Sequence, residues 1–350
     1  MRFEFPVMTK YIVLFLILIL WIQPGQSGWA QPKNSSDNLD EMISEILDDT
    51  YNYKFDDAIK ATDKIIRILP DEPEGYLYKC GVCWKMLEEG CDEPVDSTKR
   101  EIKFLIDKAC ALAAGKINSN PNDVMAHFYY AGSLVYLARY EAMSHDWFAV
   151  MSDGSKAKKM LEKDIEIDPH FYDAYSGIGA FNYYAARIPW YLKPIAFVLG
   201  ISGNEDEGIA ELKEAAQFGK YSKIEAAVFL ASVVCVNEED YSSAVKLMAN
   251  LHRQYPDNLD FVKNLCHDDY EMQNYEEVVD LANSALEMDN AIGLCHRNTL
   301  SLIRFYRGES YEKLDDKNKA IADYESVVKL NGNGYSGKEA QEALDKLRSQ

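Results

Sequence analysis

Apolar positions recur along most of the chain at helical spacing, in paired blocks separated by short polar turns. The pattern is plainest in two adjoining stretches of equal length, 225–258 and 259–292. In the first, A-A-V-F-L-A-S-V-V-C supplies one apolar helix, D-Y-S-S-A-V-K-L-M-A-N-L a second, and Y-P-D-N closes the unit. The second stretch repeats the plan with F-V-K-N-L and N-Y-E-E-V-V-D-L-A-N-S-A-L-E-M-D. A period of about 34 residues with the same punctuation predicts stacked helix–turn–helix units, each packing on its neighbours, instead of one globular core.

The same register carries through the rest of the chain. It predicts units at 39–72, 73–121, 122–169, 170–224, 225–258, 259–292 and 293–334, with an amphipathic capping helix over 335–350. Small residues fall midway along the first helix of successive units: Cys80, Ala131, Gly179, Ser232, Cys266 and Gly308. Ala58, Ala157, Ala244, Val278 and Ala320 fall on the second helices. Small residues let the two helices of a hairpin approach, and Pro70, Pro121, Pro169 and Pro256 stop the second helix because proline lacks the N–H donor. In the third unit the first helix is expected to extend through L-A-R-Y-E-A-M-S-H-D-W-F-A-V-M.

These positions resemble the tetratricopeptide repeat (TPR), and the chain from about 39 to its end is identified as a member of that class. The resemblance implies an all-α superhelical solenoid of about seven repeats whose first helices line a concave groove. Carried over by position, the groove would be lined by Leu77, Trp84, Phe128, Tyr136, Ser176, Tyr183, Tyr184, Phe229, Val233, Lys263, His267, Tyr270 and Phe305. Rigid aromatics in a groove suit a peptide or helix from a protein partner, because they give contact area at low entropy cost. The alternative reading makes these residues inter-repeat core.

Composition narrows the picture. The chain has 350 residues and a formal net charge of −20, which argues against nucleic acid and anionic membrane faces as partners. The run 11–22 (Y-I-V-L-F-L-I-L-I-L-W-I) follows Arg2 and Lys10 and precedes a small, polar stretch. It is shorter than the roughly 20 apolar residues of a spanning helix, so 1–30 is expected to be a secretory signal peptide, with a retained anchor as the alternative. Residues 31–38 are expected to be a disordered lead-in. The chain is therefore expected to be an exported scaffold in a bacterial periplasm or cell envelope.

Seven cysteines are scattered irregularly: Cys80, Cys83, Cys91, Cys110, Cys235, Cys266 and Cys295. Most sit where a small apolar residue suits a helix core. Cys80 and Cys83 form a CxxC within a helical pattern, with no strand before it as a redox motif requires. Zinc with Cys91 and Cys110, or a disulfide from Cys91, are the alternatives. Cys266-His267 and Cys295-His296 place neighbours about 100° apart on a helix, so neither can be its own nucleophile pair. No HExxH, GxSxG or GxxxxGK[ST] occurs, and no catalytic residue, metal or cofactor is expected.

One stretch breaks the period. Residues 188–203 (I-P-W-Y-L-K-P-I-A-F-V-L-G-I-S-G) are inserted inside the fourth unit with a single charge, Lys193, and Trp190, Tyr191, Leu192 and Phe197 among the apolar residues. Pro194 can open a short helix there. The insert is expected to fold back as core, to form a lid on an apolar groove, or to touch a partner or membrane. G-A-F-N-Y-Y, I-P-W-Y-L-K and V-L-G-I-S-G-N-E-D-E-G-I-A-E-L, within about 179–216, are similar to the central segment of a eukaryotic tetratricopeptide family linked to the mitochondrial outer membrane and lipid droplets. That likeness implies an apolar or lipid-like ligand, or a place near a membrane. Two functions therefore stand: a non-enzymatic scaffold holding another protein in the aromatic groove, and a carrier or sensor of a lipid-like ligand.

Overall fold

The computed structural model describes residues 35–90, 95–188, 190, 193–292, 296–332 and 334–349. The expected signal peptide, Tyr191, Leu192, Cys91 and Cys295 lie outside them. Contacts divide the chain into residues 1–40 and 41–350, and the second unit holds the repeats. The chain is all helical among the described residues: α1 (Ser35–Tyr51), α2 (Phe55–Ile68), α3 (Glu74–Glu89), α4 (Val95–Ser119), α5 (Val124–Ala142), α6 (Trp147–Ile167), α7 (Asp173–Ala186), α8 (Lys193–Val198), α9 (Glu205–Phe218), α10 (Lys223–Phe229), α11 (Tyr241–Gln254), α12 (Leu259–Glu271), α13 (Tyr275–Ile292), α14 (Arg297–Lys313), α15 (Lys317–Asn331) and α16 (Tyr335–Ser349). From α2 on, long helices pack on the next in sequence, with α7 against α9 across the small α8, which is the solenoid plan. α1 begins at Ser35, inside the stretch expected to be disordered, because the apolar stripe of Met42, Ile43 and Ile46 gives it a buried face.

Local chemistry explains the helix starts. Asp123, Asp146, Asn204, Asp240, Asn258 and Asp316 each accept hydrogen bonds from backbone N–H groups in the first turn of α5, α6, α9, α11, α12 and α15. Such a cap is worth about 1 kcal/mol. Asp146 also corrects an expectation. The first helix of the third unit does not continue through Trp147; it ends at Ala142, His145 takes a left-handed φ of 61°, and Asp146 caps a new helix.

The crossings follow the small residues. Ala58, Cys80, Ala131, Ala244, Cys266, Val278 and Ala320 are all buried. Gly179 and Gly208 meet backbone to backbone where α7 crosses α9: a Cβ on either would lie 2.7 Å from the other's carbonyl oxygen. One crossing shifts by a residue. α10 continues into a π-helical turn, Leu230–Cys235. The wider turn rotates the face, so Ala231 and not Ser232 is buried against Met248 and Leu251. At the C-terminal end, Ala340, Leu344 and Leu347 of α16 cover Ala320, Tyr324 and Val327 of α15.

Candidate partner-binding groove

The first helices of the repeats present three aromatic groups. On α3 and α5, Trp84 and Tyr136 lie 6.0 Å apart, and the Arg139 guanidinium stacks over Trp84 at 4.8 Å. Arg139 is tied to Glu88 at 2.5 Å. On α7 and α10, Tyr183, Tyr184 and Phe229 form an edge-to-face triangle with centroids 5.2–6.1 Å apart. On α12 and α14, His267 and Tyr270 pack on Tyr306 at 5.5 and 6.2 Å. Burial raises the Tyr184, Glu225 and Tyr136 pKa values; the Arg139 charge opposes the rise at all three, and Glu225 adds to it at Tyr136.

The candidate residues are not equally available. Tyr183 has no exposed surface, and Leu77 and Trp84 are also buried, so these three serve as packing. Tyr183 receives a hydrogen bond from Asn237 at 3.1 Å and carries Arg187 over its ring at 5.3 Å. It is the buried prop behind Tyr184, which is 55% exposed. Phe128, Tyr136, Ser176, Phe229, Val233, His267, Tyr270 and Phe305 are half-buried. Lys263 is held by Asp260 on its own helix, and His267 by Asp268 at 2.7 Å. Glu271, Glu309, Glu312 and Glu339 crowd the far end around Tyr270 and Tyr306, and burial together with Glu312 and Glu271 pushes the Glu309 carboxyl up to about 7. Most of the described part of the insert is not packed as core. Phe197 and Val198 are 85% and 82% exposed, Trp190 is similarly open, and Ala196 alone is buried in α8.

The largest departure from expectation is that the chain fills part of its own groove. The turn after α1 reaches across to α12 and α14. The Tyr51 ring packs on Tyr255 and Phe261, at 5.4 and 6.3 Å, and its hydroxyl donates to Glu225. Glu225 keeps much of its surface accessible, and burial of its carboxyl by surrounding protein raises its pKa. Tyr53 stacks on His296 at 4.1 Å, donates to Glu89 at 2.9 Å, and accepts from the Asp260 N–H at 2.9 Å.

Glu89 is the hub of this closure. It is buried, and accepts from Thr299 at 2.6 Å, pairs with Lys85 at 3.0 Å and meets His296 Nδ1 at 3.2 Å. Lys85 also reaches Asp260 at 3.3 Å. Burial opposes the charge on Glu89, but the His296 hydrogen bond, the Lys85 charge and the Thr299 hydroxyl outweigh it and hold its carboxyl down to about 2. Burial likewise opposes Lys85, and the charges of Asp260 and Glu89 raise it regardless. The Glu89 contribution is therefore complete above the ordinary glutamate pKa of about 4.3 and is lost as pH falls through about 2. Near-ultraviolet circular dichroism of the tyrosines is expected to collapse between about pH 4 and pH 2, ahead of the helical far-ultraviolet signal. A tyrosine signal that stays flat down to pH 2 would refute the closure's electrostatics.

Three of the described cysteines fit as packing. Cys80, Cys83 and Cys266 are buried, and burial raises the Cys80 and Cys266 thiols well above their ordinary value and pushes Cys110 up to about 11. No group of His, Cys, Asp and Glu among the described residues could hold a metal ion.

The sequence profile of a family described as regulator of microtubule dynamics protein 1–3 matches residues 45–260, more than half of the chain. The chain belongs to that family. The matched span runs from α1 to the first turn of α12, the two stretches that the Tyr51 and Tyr53 contacts join. A curated relative, regulator of microtubule dynamics protein 1 of Bos taurus, is 25% identical over 159 residues, 45% of this chain. The chain spans about half the length of that relative, 47% of it. Among solved structures, YrrB, described as a TPR protein with an unusual peptide-binding site, is 13% identical with a TM-score of 0.44, over 66% of this chain and 97% of its own. The APC/C hetero-tetramer Cut9–Hcn1 gives 15% identity and a TM-score of 0.46, over 89% of this chain and 56% of the other.

Proposed function

We propose that the chain is a non-enzymatic scaffold that holds a segment of another protein in the trough between Tyr136 and Tyr306. The observation that carries this reading is the Tyr183–Tyr184–Phe229 triangle. Its buried member fixes the ring of an exposed one, so Tyr184 offers contact area with little entropy left to lose. The acidic end at Glu271, Glu309 and Glu312 favours a partner segment with an apolar anchor followed by Lys or Arg. The family's description points to regulators of microtubule dynamics as the setting in which to look for that partner.

Changing Tyr184 and Phe229 together to Ala is expected to weaken partner capture by at least tenfold without loss of helicity, and recovery at the wild-type level would remove the groove assignment. Export is a separate proposal resting on the apolar run 11–22. N-terminal sequencing of protein from its own cells is expected to find a start near residue 31; an intact Met1 would contradict cleavage.

A further inference from the structure

Helices α12, α13 and α14 bring a run of rings together at the acidic end of the groove. His267 lies edge-on to Tyr306 at 5.5 Å, Tyr306 meets Tyr270 at 6.2 Å, and Tyr270 meets Tyr275 at 5.6 Å. Neighbouring planes are tilted by 41–74°, so the rings make a curved wall instead of a flat stack. All four keep part of their surface accessible.

Carboxylates border this wall. Glu271 follows Tyr270 at the end of α12, and Glu309 lies three residues beyond Tyr306, on the same face of α14. Burial, Glu312 and Glu271 push the Glu309 carboxyl up to about 7; Glu339 of α16 adds to the rise and Lys313 opposes it. Glu312 is already engaged, by the Tyr324 hydroxyl at 3.3 Å and Lys346 at 3.4 Å. Among the described residues, the side chains of Glu271 and Glu309 have no ion pair or hydrogen bond. The rings show the same lack. Tyr311, farther along α14, carries Arg307 and Lys319 over its ring at 5.8 and 5.0 Å, but no Lys or Arg among the described residues stands over Tyr270 or Tyr306. Aromatic faces and carboxylates that the chain's own cations leave open suit a cation from outside.

The kind of cation follows from the geometry. No group of His, Cys, Asp and Glu among the described residues could hold a metal ion. A guanidinium stacks best on one flat face, and a bare ammonium holds its water strongly. A methylated ammonium is compact, and its methyl groups spread the charge onto several tilted rings at once. Phosphocholine carries the same group, but its phosphate would have to enter beside Glu271 and Glu309; a lysine side chain brings no anion. The inference rests on the reading of the groove as a protein-binding site and names what its acidic end takes. We propose that Tyr270, Tyr275 and Tyr306, with Glu271 and Glu309, bind a methylated lysine of the partner segment.

The probe for the test is Nα-acetyl-Nε-trimethyl-lysine amide, titrated into the full chain by ligand-observed NMR. It is expected to bind at least about fivefold more tightly than its neutral tert-butyl isostere, and more tightly than the unmethylated lysine amide or phosphocholine. Glu309→Gln relieves like-charge crowding, so the chain should stay folded while binding weakens severalfold. Tyr270→Leu should weaken it as well, and Asp57→Asn, exposed on α2, should not. The charge of the probe is fixed, so any pH dependence belongs to the protein. A bound cation favours the Glu309 carboxylate over its protonated form. Binding should therefore strengthen by up to about tenfold between about pH 6 and about pH 8, and this slope should vanish in Glu309→Gln. A slope that survives the substitution would assign it to His267 and remove Glu309 from the site. Equal binding of probe and isostere, phosphocholine bound as well as the probe, or full binding by both variants would each overturn the proposal. The probe needs no partner, so such a failure is distinct from a loss of partner capture at Tyr184.

Discussion

Glu89→Gln is expected to open the closure between the α1–α2 turn and the helices it reaches. The amide keeps the shape of the side chain but not the charge that faces Lys85 and His296 in a buried site. Removing one partner of a buried pair costs about 3–5 kcal/mol, because the other charge stays behind without compensation. The isosteric amide retains some hydrogen bonding, so about 3 kcal/mol is the expected loss. Hydrogen exchange should then rise at residues 51–55 and at Asp260 and Phe261, which the Tyr53 and Asn258 side chains protect. Lys60→Gln, which breaks the exposed pair with Asp57, should leave both stability and exchange unchanged. Equal effects from the two substitutions would remove Glu89 from its place at the hub.

The second large effect is expected at the glycine crossing. Gly208→Val would put side-chain carbon 2.7 Å from the Gly179 carbonyl oxygen and 2.8 Å from the Tyr183 N–H nitrogen. Neither is the end of a flexible side chain, so α7 and α9 must separate. A loss of about 3 kcal/mol in urea unfolding is expected, at the upper end for overpacking, because backbone and not side chain must move. Tyr183 sits at this crossing, so the Tyr184 platform should be displaced and partner capture should fall as well. Gly115→Ala provides the contrast. A Cβ there meets nothing within 4 Å, and in the helix α4 it should stabilise by roughly 0.5–1 kcal/mol.

The helical hairpins were legible in the sequence because their physics is local. A small residue midway along one helix and another on the next predicts a close crossing, and the buried Cys80, Ala131, Cys266 and Gly308 behave in that way. Two errors were also local. The π turn after Phe229 exchanged Ala231 for Ser232, and an Asp cap at 146 outweighed the apolar run that predicts a helix through Trp147. Neither leaves a periodicity that could be counted.

The closure could not be read, because it joins residues far apart in the chain. Glu89 and His296 are polar residues at helix ends, and in sequence such residues pass for solvated ones. The one local signal was the aromatic density of Y-N-Y-K-F at a turn, where a solvated loop would be polar. The groove was half legible: the repeat register found the three aromatic groups, but could not tell a buried prop such as Tyr183 from a presented ring such as Tyr184. One residue's rotation on a helix separates them, and that rotation is fixed by packing against Phe229 and Asn237.

Site-specific photo-cross-linking tests the partner-binding trough most directly, with a photoreactive phenylalanine in place of Tyr184 and, separately, in place of Phe104 on the outer face of α4. A protein adduct is expected from position 184, suppressed when Glu309→Gln weakens the acidic end of the trough, and none from position 104. Adducts from 104 but not from 184 would contradict a partner held in the trough.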